Sequence, residues 1–281
     1  MIQTDRAHLY LTAQSDPGLS GKNNEDNFAV SAYRLSKQNP TASVFAVVSD
    51  GIGGHKSGEV ASEMTVNRLS QVAAQSDGSH PLVVFQQGFH LASEEVFKQA
   101  ETDPTRKGMG ATASCAWIIG QRLYIAYAGD SRIYLMRGKR IQQLSRDHTW
   151  VQEAMEKGII NQSSLKSHPN MHVIRRYIGS SEPTEPDLRL YLQPDESDQQ
   201  AHANQGTTLQ PGDVIMLCSD GLTDLVNDSE MLDMLQGRTL KQTAKALIDL
   251  ANERGGHDNI TVVMLGVPGW DTQHRPDWKP G

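Results

Sequence analysis

Acidic residues stand beside Gly or Asn at points where apolar runs of this chain stop or start, and this pattern constrains the fold more than any other. Runs of this length, rich in Val and Ile, predict buried strands. Glu25 and Asp26 precede the short apolar stretch at 28–30. The other acidic residues of the pattern are Asp50 after the run 44–49, Asp130 after 123–129, Asp220 after 214–219, and Asp258 before 260–265.

A bare carboxylate at the end of a buried strand costs free energy unless a positive charge compensates it. No Lys or Arg matches these positions in the sequence, so the pattern predicts a shared cation. Carboxylate oxygens favour Mg²⁺ or Mn²⁺, with Ca²⁺ as a competitor, whereas Zn²⁺ usually recruits Cys or His. The spacing does not fit an EF-hand loop. Because the fold must gather ligands scattered along the chain, the pattern favours a catalytic centre of two metal ions over a calcium buffer.

The composition predicts a globular protein of the cytoplasm. The chain has 281 residues, 37% of them hydrophobic, and a net charge of −7 without any run of Lys or Arg. This charge disfavours a nucleic-acid partner, and no apolar run approaches the ~18 residues that a membrane span needs. Residues 1–13 lack the features of a signal peptide. Cys115 and Cys218 lie inside apolar runs, where we expect buried, reduced thiols.

The spacing of apolar residues predicts separate groups of strands and helices, which favours an α+β fold over an alternating parallel sheet. Thr239 and Gln242 fit a capping box at the start of one helix. The polar stretch 195–205 is interpreted as an exposed loop, and 268–281 as a C-terminal tail. The expected helices are 58–73, 82–100, 150–157 and 239–254. Beyond the apolar runs that end or start at acidic residues, the expected strands are 8–13, 112–119 and 132–136.

Six short motifs follow one another along the chain. They are Asn24-Glu25-Asp26, Asp50-Gly51-Ile52-Gly53-Gly54-His55, Gly108-Met109-Gly110-Ala111-Thr112, Gly129-Asp130-Ser131-Arg132, Ser219-Asp220-Gly221-Leu222 and Asp258-Asn259. Each motif is weak alone, but this order resembles the metal-dependent Ser/Thr protein phosphatases of type 2C, in particular their bacterial branch. The resemblance covers residues 8–266. It implies two central antiparallel β-sheets between helical layers in a phosphatase domain at 1–267, with a mobile flap at 148–185.

The resemblance also implies roles for individual residues. Asp50 would be shared by two metal ions, and the backbone carbonyl of Gly51 would contact one of them. Asp220 and Asp258 would hold the first ion, and Glu25 would hold the second, directly or through water.

Three further roles follow from the same resemblance. Asp26 would orient the water molecule at the metals, so Asp26 and Asp50 are the expected catalytic residues. Asp130 and Asp220 would hold a third ion. The group that protonates the leaving oxygen stays open, because some family members carry a His directly after the Asp-Gly pair and this chain has Ile52 there.

One position departs from the family. An Arg that grips the substrate phosphate usually stands shortly before the Asn-Glu-Asp motif, and this chain has Gly21 followed by Lys22. A lysine can bind phosphate as a point charge, but it lacks the two-pronged geometry of a guanidinium. We therefore expect Lys22 to contact substrate in place of this Arg, with lower affinity for the phosphate.

The sequence thus predicts a monomeric phosphatase that removes phosphate from Ser and Thr of proteins phosphorylated by a Ser/Thr kinase. It would use Mn²⁺ or Mg²⁺ and an activated water, without a covalent intermediate. One alternative is a pseudophosphatase that only binds phosphoproteins; the complete carboxylate set argues against it, and the missing Arg argues for it. A second alternative is a phosphoesterase for small molecules, against which the lack of a nucleotide-binding motif counts.

Overall fold

Two antiparallel β-sheets form the centre of the computed structural model, which describes residues 1–53, 56–161 and 168–269. The first sheet has the strand order β1 (Ile2–Gln3), β3 (Asn27–Arg34), β4 (Ala42–Ser49), β7 (Ala113–Ile119), β8 (Arg122–Ala128) and β11 (Thr207–Thr208). The second has the order β10 (Arg140–Gln143), β9 (Arg132–Arg137), β12 (Val214–Cys218), β13 (Ile260–Gly266) and β2 (Tyr10–Asp16). A short pair, β5 (Gly51–Ile52) with β6 (Gly110–Ala111), lies beside them.

Helices cover the outer face of each sheet, which confirms the expected layers of helix, sheet, sheet and helix. The helices are α1 (Lys56–Gln75), α2 (Pro81–Thr102), α3 (Trp150–Glu156), α4 (Asp198–Ala203), α5 (Asp220–Thr223), α6 (Asp228–Leu235) and α7 (Leu240–Glu253). Helices α1 and α2 pack on the first sheet, and α5, α6 and α7 pack on the second. None of the helices in the described ranges is long and apolar enough to cross a membrane.

The apolar runs are continuous because both faces of the central strands are buried. Along β4, Val44 and Val48 point into the core between the two sheets, while Phe45 and Val47 point into the core under α1 and α2. Strand β12 repeats this alternation, with Leu217 between the sheets and the residues on either side of it under α7. Such a strand needs apolar side chains at every position.

The strand register brings the predicted acidic residues to one edge of the sandwich. In the first sheet, the start of β3 lies beside the end of β4, and the end of β8 lies beside the start of β7. In the second sheet, the end of β12 lies beside the starts of β13 and β9. The turn 129–131 crosses from β8 to β9 at this edge, so it joins the two sheets there.

Most predicted elements are observed with ends shifted by a few residues, and one interpretation was wrong. The capping box of Thr239 and Gln242 is confirmed at the start of α7. The stretch 195–205 is not only a loop, because α4 lies within it. Ser197 and Gln200 form a capping box at the start of α4, and Ala201 is buried. The polar composition hid this signal, which is the same kind of cap that identified α7.

Other expectations concern residues that the structure describes only in part. In the predicted flap, residues 162–167 lie outside the described ranges, as do residues 270–281 of the predicted tail and His55. The described part of the flap contains α3, and a bridge between Thr149 and Ile174 ties its two sides together. Cys115 and Cys218 are free and buried, as expected.

Candidate metal centre

Asp50 is fixed at the end of β4 by hydrogen bonds of its own backbone. Its N–H donates to Thr112 Oγ1 at 2.9 Å, and its carbonyl accepts from the Thr112 N–H at 2.8 Å. The Ser49 hydroxyl donates to the Thr112 carbonyl at 2.6 Å. These bonds hold the Asp50 backbone at the edge where the two sheets meet.

The segment carrying Glu25 and Asp26 is held by a side chain from the other sheet. Asn259 Oδ1 accepts from the Glu25 N–H at 2.8 Å, and Asn259 Nδ2 donates to the carbonyls of Pro17 and Asn23 at 3.0 and 3.1 Å. Asn259 directly follows Asp258 before β13. The Glu25 segment and Asp258 are therefore positioned together.

Within this segment, Asp26 is almost fully buried, with 6% of its surface exposed. The Ser219 hydroxyl donates to Asp26 Oδ2 at 2.6 Å and accepts from the Thr261 N–H at 2.9 Å. Ser219 thus links the end of β12, where Asp220 follows, to Asp26, which lies 193 positions earlier in the chain. In the sequence, Ser219 stands only as part of a motif, and no local pattern there predicts this contact.

Gly58 on α1 allows two predicted ligands to approach each other. A side chain at position 58 would place Cβ 2.5 Å from Glu25 Oε2 and 2.9 Å from the Gly51 carbonyl oxygen. A Cβ on Gly51 would lie 2.2 Å from the Gly58 carbonyl oxygen. Neither glycine tolerates a side chain here, and the close packing leaves the two oxygen donors beside one another. The sequence carries no signal for Gly58 beyond its place at the predicted start of a helix.

The carboxylates of this edge raise one another's pKa. Burial raises the pKa of Asp50 well above its usual range, and the charges of Asp26 and Asp220 raise it further. Burial raises the pKa of Asp26 to about 7, although the Ser219 hydrogen bond lowers it. Burial, followed by the charges of Asp224 and Asp258, raises the pKa of Asp220 to about 6.

Asp130 belongs to the same electrostatic group. It follows Gly129, whose φ of +107° and contact with Thr112 leave no room for a side chain. Burial raises the pKa of Asp130 well above its usual range, and the charge of Asp220 adds to the effect. All these shifts have the direction expected of carboxylates that lack a compensating cation.

Several oxygens of these carboxylates have no hydrogen-bond partner among the described residues. Asp26 Oδ1, Asp130 Oδ1 and Asp220 Oδ1 are enclosed, yet none of them accepts a hydrogen bond from any group in the described part of the chain. Buried polar atoms are nearly always paired. Enclosed carboxylate oxygens without hydrogen-bond donors fit hard divalent cations, so the donor set suits Mn²⁺ or Mg²⁺.

Two cavities open onto the acidic group. The first, of about 430 Å³, is lined by Gly21, Lys22, Asn23, Glu25, Asp50, Gly51, Asp258 and Asn259. The second, of about 170 Å³, touches Asp130 and Asp220 and continues under the flap to His172 and Asp224. The structure therefore brings all the predicted metal ligands and Lys22 to these two cavities or to the carboxylates beside them. Sequence reasoning missed His172 and Asp224, because His172 lies in a polar stretch without periodicity.

Comparison with known proteins places the chain among bacterial phosphatases. The family described as Protein phosphatase 2C matches residues 13–163, and the one described as Stage II sporulation protein E matches residues 167–268. The serine/threonine protein phosphatase PstP of Mycobacterium tuberculosis is 34% identical over 94% of this chain and 46% of its own length. The serine/threonine phosphatase Stp of Listeria welshimeri is 33% identical over 92% of this chain and 95% of its own. This chain thus spans about half the length of PstP and nearly all of Stp.

A solved structure shows the same fold. The catalytic domain of PstP in complex with two manganese ions superimposes with a TM-score of 0.73 and 31% identity, covering 92% of this chain and 97% of that domain.

Proposed function

The chain belongs to the protein phosphatase 2C family, and we propose that it hydrolyses phosphoserine and phosphothreonine in proteins with the help of Mn²⁺ or Mg²⁺. The attacking group is an activated water, and no covalent intermediate forms. One observation carries the proposal: the buried carboxylates of Asp26, Asp130 and Asp220 each keep an oxygen without a hydrogen-bond partner among the described residues. The named activity of Stp and the manganese in the PstP domain support it.

The proposed ligands form two core sites. Asp50 would serve both ions, Asp220 and Asp258 would hold one of them, and Glu25 would hold the other, directly or through water. The Gly51 carbonyl would contact one of the ions. When bound, two divalent ions offset the charge of the phosphate, lower the pKa of a water molecule and hold the attacking and leaving oxygens in line. The closeness of Glu25 Oε2 and the Gly51 carbonyl around Gly58 supports their shared role.

Asp26 is proposed to orient the attacking water. Its Oδ2 accepts from the Ser219 hydroxyl, whereas its Oδ1 accepts no hydrogen bond from the residues that the structure describes. A fixed carboxylate with one free oxygen can accept a hydrogen bond from water and set the water's direction of attack. Asp130 is proposed to hold a third ion together with Asp220.

Lys22 is proposed to contact the substrate phosphate. It lines the larger cavity together with Gly21 and Asp50, which places this residue beside the proposed site of chemistry. Gly21 has a φ of +75°, which suits glycine and disfavours the Arg that the family resemblance would place there.

The proposed biological setting follows from the same reasoning. The substrates are proteins phosphorylated by a Ser/Thr kinase. The phosphatase unit spans residues 1–267 with a flap at 148–185, acts as a monomer and works in the cytoplasm.

The test compares a phosphothreonine peptide with a phosphotyrosine peptide, each with Mn²⁺ and after treatment with EDTA. We expect turnover of the phosphothreonine peptide only with Mn²⁺. Asp50→Asn should abolish this turnover, while the matched control Asp233→Asn, an exposed position on α6, should keep it. Full turnover by demetallated protein would refute the metal mechanism, and preference for phosphotyrosine would refute the substrate class.

A further inference from the structure

A histidine of the flap lies beside two carboxylates of α5 and its C-terminal end. One ligand atom each of His172, Asp220 and Asp224 lies within 4.8 Å of the other two. His172 Nδ1 is 3.7 Å from Asp224 Oδ2. Coordination of one cation by three such atoms requires only small side-chain movements, because ligands of one ion stand at comparable separations.

A simple surface ion pair does not account for this arrangement. The three residues line the cavity of about 170 Å³ that also contains Asp130. Asp130 is 7% exposed, and its Oδ1 accepts no hydrogen bond from the described residues; the same holds for Asp220 Oδ1. The cavity is therefore lined by an imidazole, by the Asp224 carboxylate and by two buried carboxylate oxygens that accept no hydrogen bond from the described residues.

The nearest permanent cation is already engaged. Arg132 lines the same cavity, but its Nε and Nη2 donate to Asp147 at 3.0 and 2.7 Å, and its Nη1 donates to Tyr134 at 3.2 Å. These bonds direct the guanidinium to Asp147. The charge of Arg132 still acts on Asp130, but these N–H groups donate to Asp147 and Tyr134 and not to the carboxylate oxygens of Asp130 and Asp220.

We infer that His172 and Asp224 complete a mixed nitrogen and oxygen site with Asp220, beside the Asp130 carboxylate that lines the same cavity, and that this site selects Mn²⁺ or a similar transition ion over Mg²⁺. The inference rests on the proposed function, because it assumes that divalent ions occupy the acidic edge. Mn²⁺ shares with Mg²⁺ a preference for oxygen ligands, but as a transition ion it accepts an imidazole nitrogen more readily than Mg²⁺, which keeps oxygen and water ligands. An imidazole favours the later transition ions more strongly still. The two core sites, built from oxygen donors only, carry no such preference.

The backbone around His172 is already ordered for binding. The Trp150 N–H donates to the Val173 carbonyl at 2.8 Å, and the Val173 N–H donates to the Asn170 carbonyl at 3.1 Å. The His168 ring stacks on the Trp150 ring with centroids 4.7 Å apart. These contacts hold the turn that carries His172 against the start of α3. An ion bound by both His172 and Asp224 would therefore connect the flap to α5.

His257 is the competing imidazole. His257 directly precedes Asp258 in the sequence, and its Nε2 lies 3.8 Å from Asp224 Oδ2. It does not belong to the group of mutually close ligand atoms. We therefore assign the nitrogen ligand to His172, and a His257→Ala variant separates the two assignments.

The test measures nitrogen ligation of bound Mn²⁺ in the full chain at neutral pH. Pulsed electron paramagnetic resonance of the Mn²⁺-loaded protein should show ¹⁴N coupling from one imidazole. The coupling should vanish in His172→Ala and persist in His257→Ala. It should also persist in the control His90→Ala, since His90 forms a comparable surface pair with Glu94 at 3.3 Å, and among the described residues Glu94 is not one of the buried carboxylates that lack a hydrogen-bond partner.

Affinity provides the second measurement. His172→Ala should weaken Mn²⁺ binding at one site by about tenfold or more and should change Mg²⁺ binding by less than about threefold. His172 is a largely exposed side chain, 59% accessible, so the variant should fold normally. Absence of ¹⁴N coupling, its loss in His257→Ala, or unchanged Mn²⁺ affinity in His172→Ala would overturn the inference. Phosphatase activity is measured separately, so these results do not decide the proposed function.

Discussion

The replacement of Ser219 by Ala offers a direct test of how Asp26 is positioned. Ser219 is fully buried. Its hydroxyl makes two short bonds, one to Asp26 Oδ2 at 2.6 Å and one from the Thr261 N–H at 2.9 Å. In Ser219→Ala, the carboxylate loses a donor and the backbone N–H loses its acceptor. Each buried group left unpaired costs about 1–3 kcal/mol, and charged groups cost more.

We therefore expect Ser219→Ala to lower the free energy of unfolding by about 3–5 kcal/mol. Uptake of a proton by Asp26 limits the loss, because the Ser219 bond is one of the contacts that lower the pKa of this carboxyl. Chemical denaturation of the metal-free chain measures the loss. Turnover of a phosphothreonine peptide should fall by at least tenfold, since Asp26 is then free to turn away from the water.

The matched control is Ser43→Ala. Ser43 is also fully buried, at the opposite end of β4 from Asp50, and accepts one hydrogen bond from Trp117 Nε1 at 2.7 Å. It should lose about 1–2 kcal/mol of stability and keep its turnover once folded. If Ser219→Ala behaved like Ser43→Ala in both measurements, Ser219 would not position Asp26.

Three further changes have expected outcomes. Burial lowers the pKa of His148, and hydrogen bonds from His148 and Arg189 keep the pKa of Asp187 below its usual range despite burial. The folded chain therefore binds fewer protons at these two groups than the unfolded chain does, so the free energy of unfolding should fall as the pH drops below about 6.5. His148→Gln should flatten this fall in a denaturation series from pH 7 to 5, and an unchanged slope would exclude His148 as its source. Lys22→Ala should raise KM for phosphopeptide about tenfold with little change in kcat, as loss of one charged contact predicts; an unchanged KM would make Lys22 a surface charge. In Gly21→Arg, the new Cβ would have no atom of the described residues within 4 Å, but the backbone φ of +75° disfavours any side chain. The variant should therefore lose about 1–2 kcal/mol of stability, and its KM for phosphopeptide should fall. A higher KM would mean that an Arg at this position does not act as the family's Arg does.

The sequence predicted the sheets well because burial on both faces leaves a simple signal. Strands such as β4 and β12 need apolar side chains at every position, and the acidic residues mark their ends. Antiparallel pairing then places Asp220 at the end of β12 beside Asp258 before β13. These local rules predicted the strands and the α+β class, whereas the arrangement of two sheets between helical layers was predicted from the family resemblance. Metal binding by these residues stays a prediction.

Other features depend on contacts that no local pattern encodes. The bond from Ser219 to Asp26 joins residues on different sheets, and the approach of His172 to Asp224 depends on how the flap closes over α5. Helix α4 was missed for a different reason, since its capping box was present but its polar composition suggested a loop. Strand β2 extends to Asp16, beyond the expected end at residue 13, because it pairs with β13 as far as Ile260.

The most direct test of the metal centre is a Mn²⁺ titration of the demetallated chain and of its Asp50→Asn variant by calorimetry. Asp50 is the carboxylate proposed to be shared by both core ions, so its loss should weaken both sites at once. We predict that the unaltered chain binds at least two Mn²⁺ ions, as a two-metal mechanism requires, and that Asp50→Asn, folded by circular dichroism, loses both. Binding of Mn²⁺ by Asp50→Asn with unchanged stoichiometry and affinity would contradict the account.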